Sequence, residues 1–388
     1  MEFTLPKKPI SSLLFFYFLF LFIDIGGASF IRTLSILILA FLTIINIKKI
    51  CKSTVNPFFV FTFLCYPFIA LNIGILNGAD FNLAVQNISS IIFYPIIILA
   101  IFSNRDKDLI KTYSLAGLTL SILIIFIFLI IKIKHSYGST LQDILHLNFG
   151  YFGIRTLNNI PFPVVYFKST LLLIPCFIYF IYHKKNIFAT IIFISFFAAN
   201  SKTAIAICIL TYLLNIINRI NISRLLIFTF FSIITYCILI DIEALKSISN
   251  IFNDPVTLST RIDHFESFIN LISEYPHILI TGQGSGTFFY STANNSMVNN
   301  IELDHINSIR KFGMFWFLSF FSYILWVAYN NFKNKNYYIA YSVFVTFLAC
   351  GTNPISISLL FFSFLATCHA SAFYKKFHST HEVNSWHI

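Results

Sequence analysis

The sequence is poor in charge. Only 11% of its 388 residues are Asp, Glu, Lys or Arg, against 57% hydrophobic. That balance excludes a water-soluble fold of this length, which would have too few polar side chains to cover its surface. Its seven cysteines (Cys51, Cys65, Cys176, Cys208, Cys237, Cys350 and Cys368) lie in or beside apolar runs, and none forms a C-x-x-C pair. Neither a disulfide framework nor a zinc site is supported. There is no internal period, no Pro- or Ser-rich linker and no Asp-rich motif that would demand magnesium. Residues 1–388 therefore read as a single membrane domain, expected to need no metal and no cofactor. A net charge of +11 would suggest a nucleic-acid partner in a soluble protein. Here topology accounts for it: with a cytoplasmic N-terminus, most of the 26 basic residues fall in short loops on that side.

What the chain has in abundance is Phe, Ile and Leu, in runs of about bilayer length. Twelve spans are predicted, at 10–28, 30–47, 57–76, 84–102, 112–131, 165–182, 187–199, 203–217, 225–241, 312–329, 337–350 and 355–373. The expected fold class is all-α, a polytopic integral membrane protein with both termini cytoplasmic. The first run follows Lys7 and Lys8 and ends in small residues, as a cleaved signal peptide would; the second span that follows at once favours an uncleaved first span. Spans seven and eight are short and meet at Asn200-Ser201-Lys202. Lys202 either faces a shielded pocket or snorkels to the outer headgroups.

Two outer loops are long enough to carry chemistry. The smaller, 132–164, holds Lys134, His135, His146, Arg155 and a Pro161-Phe162-Pro163 turn. The two histidines lack partners at ligand spacing and read as solvated; Arg155 reads as a phosphate clamp or a headgroup anchor. The larger, 242–311, lies between spans nine and ten and carries seven of the 15 acidic residues. Within it an amphipathic helix is predicted over 259–275, with Thr260 and Asp263 at capping-box spacing and Pro276 as the stop. Arg261 lies near the centre of its apolar arc, in line with Phe268 and Ile272, and is expected to point at the bundle. A guanidinium there calls for an anion, and phosphate oxygens suit it; the alternative is that Arg261 curls out to water or lipid phosphates.

Further along, Gly282, Gly284 and Gly286 bring backbone amides close to an anion or a sugar, or simply form a flexible turn. Their spacing is not that of a dinucleotide-binding loop. Glu302, Asp304, His305, Asn307, Arg310 and Lys311 then crowd the start of span ten. The helix dipole disfavours an imidazolium at His305, while the adjacent carboxylates favour one. The plainer reading of this cluster is a solvated, capped helix start.

Taken in order, these features resemble the family of O-antigen polymerases and O-antigen ligases. They are Arg155 ahead of a Pro-containing turn, Ser201-Lys202-Thr203-Ala204 opening a span, Arg261 on an aromatic-rich helix, Pro276 running into Gly282-Gln283-Gly284, and His305 with Asn307 ahead of Gly313. The resemblance covers about half the chain, from Arg155 to Trp326. It implies a GT-C-like membrane glycosyltransferase of the bacterial inner membrane with a periplasmic active site. Its substrates would be undecaprenyl-diphosphate-linked oligosaccharides, with membrane lipid and a chain-length regulator protein as further partners and no nucleic acid. On this resemblance Arg261, Arg155, Lys202 and Arg310 bind the substrate diphosphate, and His305 serves the acceptor hydroxyl, with Glu302 and Asp304 as alternative bases. Two departures stand out: Lys202 replaces the family's usual arginine, and Ile306 separates His305 from Asn307. A polymerase is preferred; a ligase acting on lipid A core is the alternative within the family. A flippase and a structural membrane protein are the alternatives outside it.

Overall fold

The computed structural model describes residues 7–27, 30–46, 57–102, 109–134, 136–157, 160–217 and 255–383. The predicted ninth span and residues 242–254 of the large loop lie outside the described residues. The helices are α1 (Lys7–Ile23), α2 (Phe30–Asn46), α3 (Pro57–Val60), α4 (Tyr66–Leu76), α5 (Phe81–Phe102), α6 (Leu109–Ile133), α7 (Ser136–Phe149), α8 (Ile174–Tyr182), α9 (Asn186–Ala198), α10 (Lys202–Ile217), α11 (Pro255–Glu274), α12 (His277–Thr281), α13 (Asp304–Lys333), α14 (Tyr337–Cys350) and α15 (Leu359–Val383). The fold is mostly helical. Among the described residues, four helical stretches are long and apolar enough to cross a membrane: Pro57–Leu76, Phe81–Ile101, Leu109–Ile133 and Asp304–Lys333. Seven shorter apolar helices of 10–17 residues occupy the other predicted span positions except the ninth.

Local sequence explains the irregularities. Pro67 has no N–H to give the carbonyl four residues back, and a π-turn (Phe61–Cys65) joins α3 to α4 just ahead of it. Gly313, at φ +75°, breaks α13 into a short leading segment and a long membrane segment. Asn200 takes the left-handed conformation (φ +50°) in the tight turn between α9 and α10.

With few charges in the spans, their polar side chains pair with one another inside the bundle. Tyr94 and Tyr323 share a hydrogen bond of 3.0 Å, and Tyr323 meets His369 Nδ1 at 2.5 Å. Tyr17 reaches Ser363 at 2.6 Å, and Thr62 reaches Ser319 at 2.7 Å. Around them Phe63, Tyr94, Phe320, Tyr323 and Phe362 form a buried aromatic cluster, with Phe63 and Tyr94 centroids 4.3 Å apart. This locks α5, α13 and α15 to the π-turn.

The smaller loop departs from expectation. It holds α7 and an antiparallel hairpin of β1 (Gly150–Leu157) and β2 (Ile160–Phe167). Pro161 and Pro163 belong to β2, opposite Thr156 and Ile154, rather than to a turn. A two-stranded ribbon leaves the outer side of each strand unpaired, which is where a proline without an N–H is tolerated. Span six accordingly begins at Thr170 and not at Val165. The large loop contains a second small hairpin, β3 (Phe289–Ser291) with β4 (Ser296–Val298).

Candidate functional site

The large loop is clamped to one end of the bundle by close backbone approaches. A Cβ on Gly282 would lie 2.5 Å from the Lys311 carbonyl oxygen, and one on Gly286 would lie 2.7 Å from the Ala84 nitrogen. Gly284, at φ +96°, sits directly on the backbone of Gly74, and Gly313 on that of Ile280. The amides of this segment are already committed: Gln283 N–H donates to the Arg310 carbonyl (2.6 Å), Gly284 N–H to that of Lys311 (3.0 Å) and Ser285 N–H to that of Ala70 (3.0 Å). The expectation that Gly282, Gly284 and Gly286 open backbone to an anion or a sugar is thus corrected. The glycines dock the loop onto α4, α5 and α13, and their neighbours' N–H groups face protein.

Arg310 is corrected in the same way. It is fully buried, and its guanidinium donates to Gln283 Oε1 (2.6 Å), the Asn299 carbonyl (2.5 Å) and Asn307 Oδ1 (3.1 Å), with Cζ 4.5 Å from the Phe289 ring centroid. Lys311 is equally enclosed by three amide oxygens, those of Asn87 (3.0 Å), Asn299 (3.0 Å) and Asn300 (2.6 Å). Both cations tie strands of the loop together and are not presented to a ligand. Neutral amides can hold buried cations because each supplies a fixed dipole in place of water.

Asp304 is likewise no solvated base. Its Oδ2 accepts the N–H groups of Ile355 (3.0 Å) and Ser356 (2.6 Å), and the Ser356 hydroxyl adds a further bond. Its own N–H donates to the Gly351 carbonyl at 3.2 Å. The turn between α14 and α15 is therefore fastened over the start of α13.

His305 lies under that turn. Its ring stacks on Phe347 at 4.4 Å between centroids and contacts Phe317 at 5.6 Å. Neither ring nitrogen has a hydrogen-bond partner; the ring approaches the Phe347 backbone without reaching hydrogen-bond geometry. Two buried imidazole nitrogens left unsatisfied by protein groups are uncommon, and a water, another molecule or a catalytic role accounts for such groups.

Arg261 lies on α11, which begins earlier than predicted, at Pro255. The helix turns a partly polar side inward: His264, Ser267 and Phe268 are buried, with His264 Nδ1 3.0 Å from Ser291 Oγ and Ser267 Oγ accepting the Thr292 N–H at 3.0 Å. Ile262 (49% exposed), Phe265 (46%) and Ile269 (44%) face outward. The predicted apolar arc is thus split, because β3 offers hydroxyl partners that draw His264 and Ser267 inward. Arg261 falls on the seam between the two halves, neither deep in the bundle nor free in solvent. Its Nε lies 3.7 Å from Glu302 Oε2, an ion pair of half-exposed groups, and makes no hydrogen bond. Glu302 also acts on His264, whose ring burial holds below the usual histidine pKa while Glu302 and Asp263 pull the other way.

Lys202 is not joined to this cluster by any contact among the described residues. Arg155 is carried on β1, opposite Phe162. Lys202 opens α10 at the same end of the bundle as His305. Tyr182 stacks on Tyr338 at the opposite end (4.4 Å) and Thr211 meets Tyr341 (3.1 Å), so α10 runs antiparallel to α14, whose last residue is followed by Gly351 beside His305. The structure brings together Arg261, Glu302 and His264 and places His305 three residues beyond Glu302. Sequence reading missed His264 and the 351–356 turn. His264 was legible as the residue three beyond Arg261 on the same side of the helix; the turn is distant in the chain and carried no signal.

No family model matches this chain, and neither a curated protein nor a solved structure matches it. The class that fold and composition define is a helical membrane protein with a polar cap at one end of its bundle.

Proposed function

We propose that this chain is a membrane glycosyltransferase of the O-antigen polymerase type. It would be a GT-C-like protein of twelve spans in the bacterial inner membrane, with cytoplasmic termini and the polar cap in the periplasm. It transfers a growing glycan from one undecaprenyl-diphosphate carrier onto the repeat unit of another. The observation that carries the reading is Arg261: a guanidinium at the seam between an outward apolar helix face and the protein, paired among the described residues with one half-exposed carboxylate.

That is where the diphosphate of a lipid carrier would lie if its chain ran down the outside of the bundle. The sugar diphosphate is already activated, so the protein has two tasks: to align the acceptor hydroxyl and to stabilise the departing diphosphate. Arg261 performs the second by exchanging Glu302 for phosphate oxygens. His305, with two unsatisfied nitrogens, takes or orients the acceptor proton, and Glu302 is the alternative base. Arg155 and Lys202, at the same end of the bundle, are the remaining cations for a second carrier. Arg310 and Asp304 have no part in the chemistry.

The test is genetic. The deleted gene is restored with Arg261→Ala or His305→Ala, and lipopolysaccharide is examined on a gel. Loss of the polymerase leaves core bearing a single repeat unit. Bare core with polymer stranded on its carrier would instead indicate a ligase, single units held on the inner leaflet a flippase, and wild-type ladders from both variants would remove the site.

A further inference from the structure

Three groups around His305 are related in a way that neither the resemblance nor the chemistry above requires. Asp304, immediately before it, spends its carboxylate on the N–H groups of Ile355 and Ser356. Gly351, at the other end of the same turn, touches the imidazole: a Cβ there would lie 2.7 Å from His305 Cδ2 and 2.9 Å from Nε2. The backbone of Gly351 is ordinary right-handed helix (φ −56°), so glycine is needed there for the space the ring takes and not for backbone freedom. Phe347, one turn earlier on α14, supplies the flat surface on which the ring stacks. The imidazole is thus confined between the Phe347 ring and the Gly351 backbone, and no hydrogen bond of good geometry fixes it.

A histidine held without a hydrogen bond depends on whatever holds its walls. We propose that Asp304 is a positioning residue: its carboxylate latches the 351–356 turn onto the start of α13, and the turn, through Gly351, presses the His305 ring onto Phe347, so that the turn sets the orientation in which an imidazole nitrogen meets an acceptor sugar hydroxyl. The last clause rests on the function proposed above; the latch itself does not. The required property of residue 304 is one oxygen that accepts both the Ile355 and Ser356 N–H groups, not a negative charge or a proton-accepting role. Asparagine keeps one carbonyl oxygen for the two amides, and its NH2 group can donate to the Ser356 hydroxyl. The latch therefore separates Asp304→Asn from Asp304→Ala, which a general base would not.

The experiment uses the full chain in native membranes and reads two quantities. The first is the reactivity of His305 toward diethyl pyrocarbonate, mapped by mass spectrometry of the modified peptide. The second is glycan chain length on the lipopolysaccharide gel. Asp304→Ala and Gly351→Ala are expected to raise the carbethoxylation rate of His305 several-fold and to shorten or abolish the ladder, since a displacement of about 1 Å at a catalytic group can cost on the order of 100-fold in rate. Asp304→Asn is expected to behave as wild type in both. If Asp304→Ala fails to fold, Asp304→Asn carries the test: wild-type His305 reactivity and ladder support the latch, and a change in either overturns it. The latch is overturned if Asp304→Asn is as inactive as Asp304→Ala, or if His305 reacts at one rate in all variants. Should His305→Ala retain a full ladder, the functional reading falls, while the reactivity pattern still decides the latch.

Discussion

Replacing Arg310 with alanine separates a structural cation from a substrate-binding one. In the folded protein Arg310 holds the side-chain oxygens of Gln283 and Asn307 and the carbonyl of Asn299, and it covers the Phe289 ring. Its removal leaves three acceptors facing a cavity at a fully buried position. Each orphaned buried acceptor costs about 1–3 kcal/mol. The two side-chain amides can rotate to recover part of that, whereas the Asn299 carbonyl cannot. Relief of the buried charge offsets a further part. The net loss is about 3 kcal/mol, which at about 2 °C per kcal/mol for a long chain lowers Tm by about 6 °C. Arg310→Lys should lose nearly as much, since one ammonium cannot span Gln283 and Asn299 together. The assay is thermal unfolding of detergent-purified protein, followed by fluorescence or by size-exclusion profile after heating. An unchanged Tm with a lost glycan ladder would refute the reasoning, because it would mean that the guanidinium is spent on substrate.

Other outcomes follow from the same geometry. Gly284→Ala places a methyl group on the Gly74 backbone at a φ of +96°, so expression of folded protein should collapse, whereas Gly78→Ala, with open space around it, should cost only the backbone strain of its φ of +78°, about 1–2 kcal/mol; quantitative membrane immunoblots compare the two. Glu302→Gln frees Arg261 from its ion pair and should tighten binding of a short isoprenyl diphosphate by several-fold in a fluorescence-quench titration, with little effect on Tm because exposed pairs contribute about 0–1 kcal/mol; weaker binding would show that the carboxylate itself contacts the ligand. His264 has a folded pKa held below the unfolded value of 6.5, so the unfolded state binds more protons between the two values. Its contribution is full above pH 6.5 and is lost as pH falls through the folded pKa. Tm of wild type should therefore drop more than that of His264→Asn on moving from pH 7.5 to pH 5.

The spans were legible because hydrocarbon solvent imposes one rule on every residue of a run, so composition alone places Pro57–Leu76 and Tyr337–Cys350 where the helices are. The cap was legible as a location and less so in detail. Clustering of charge at 302–311 and the placing of Arg261 on an aromatic-rich helix mark the end of the bundle where polar groups gather. What a linear sequence does not carry is the partner of each group. Arg310, Lys311 and Asp304 look like site residues because they are charged, yet each is consumed by amides or carbonyls, most of them 11 to more than 200 residues away. The glycines look like a ligand loop because small residues serve equally where backbone meets a ligand and where backbone meets backbone. The hairpin at 150–167 was hidden because its alternation is blurred by two prolines and by burial of successive residues Val164 and Val165.

The account depends on Arg261 standing at the periplasmic surface. In a chain whose native cysteines are replaced, Arg261→Cys should react with a membrane-impermeant maleimide added to intact spheroplasts, and an added isoprenyl diphosphate should slow the reaction. Labelling that occurs only after the membrane is broken would put this residue on the cytoplasmic side and contradict the account.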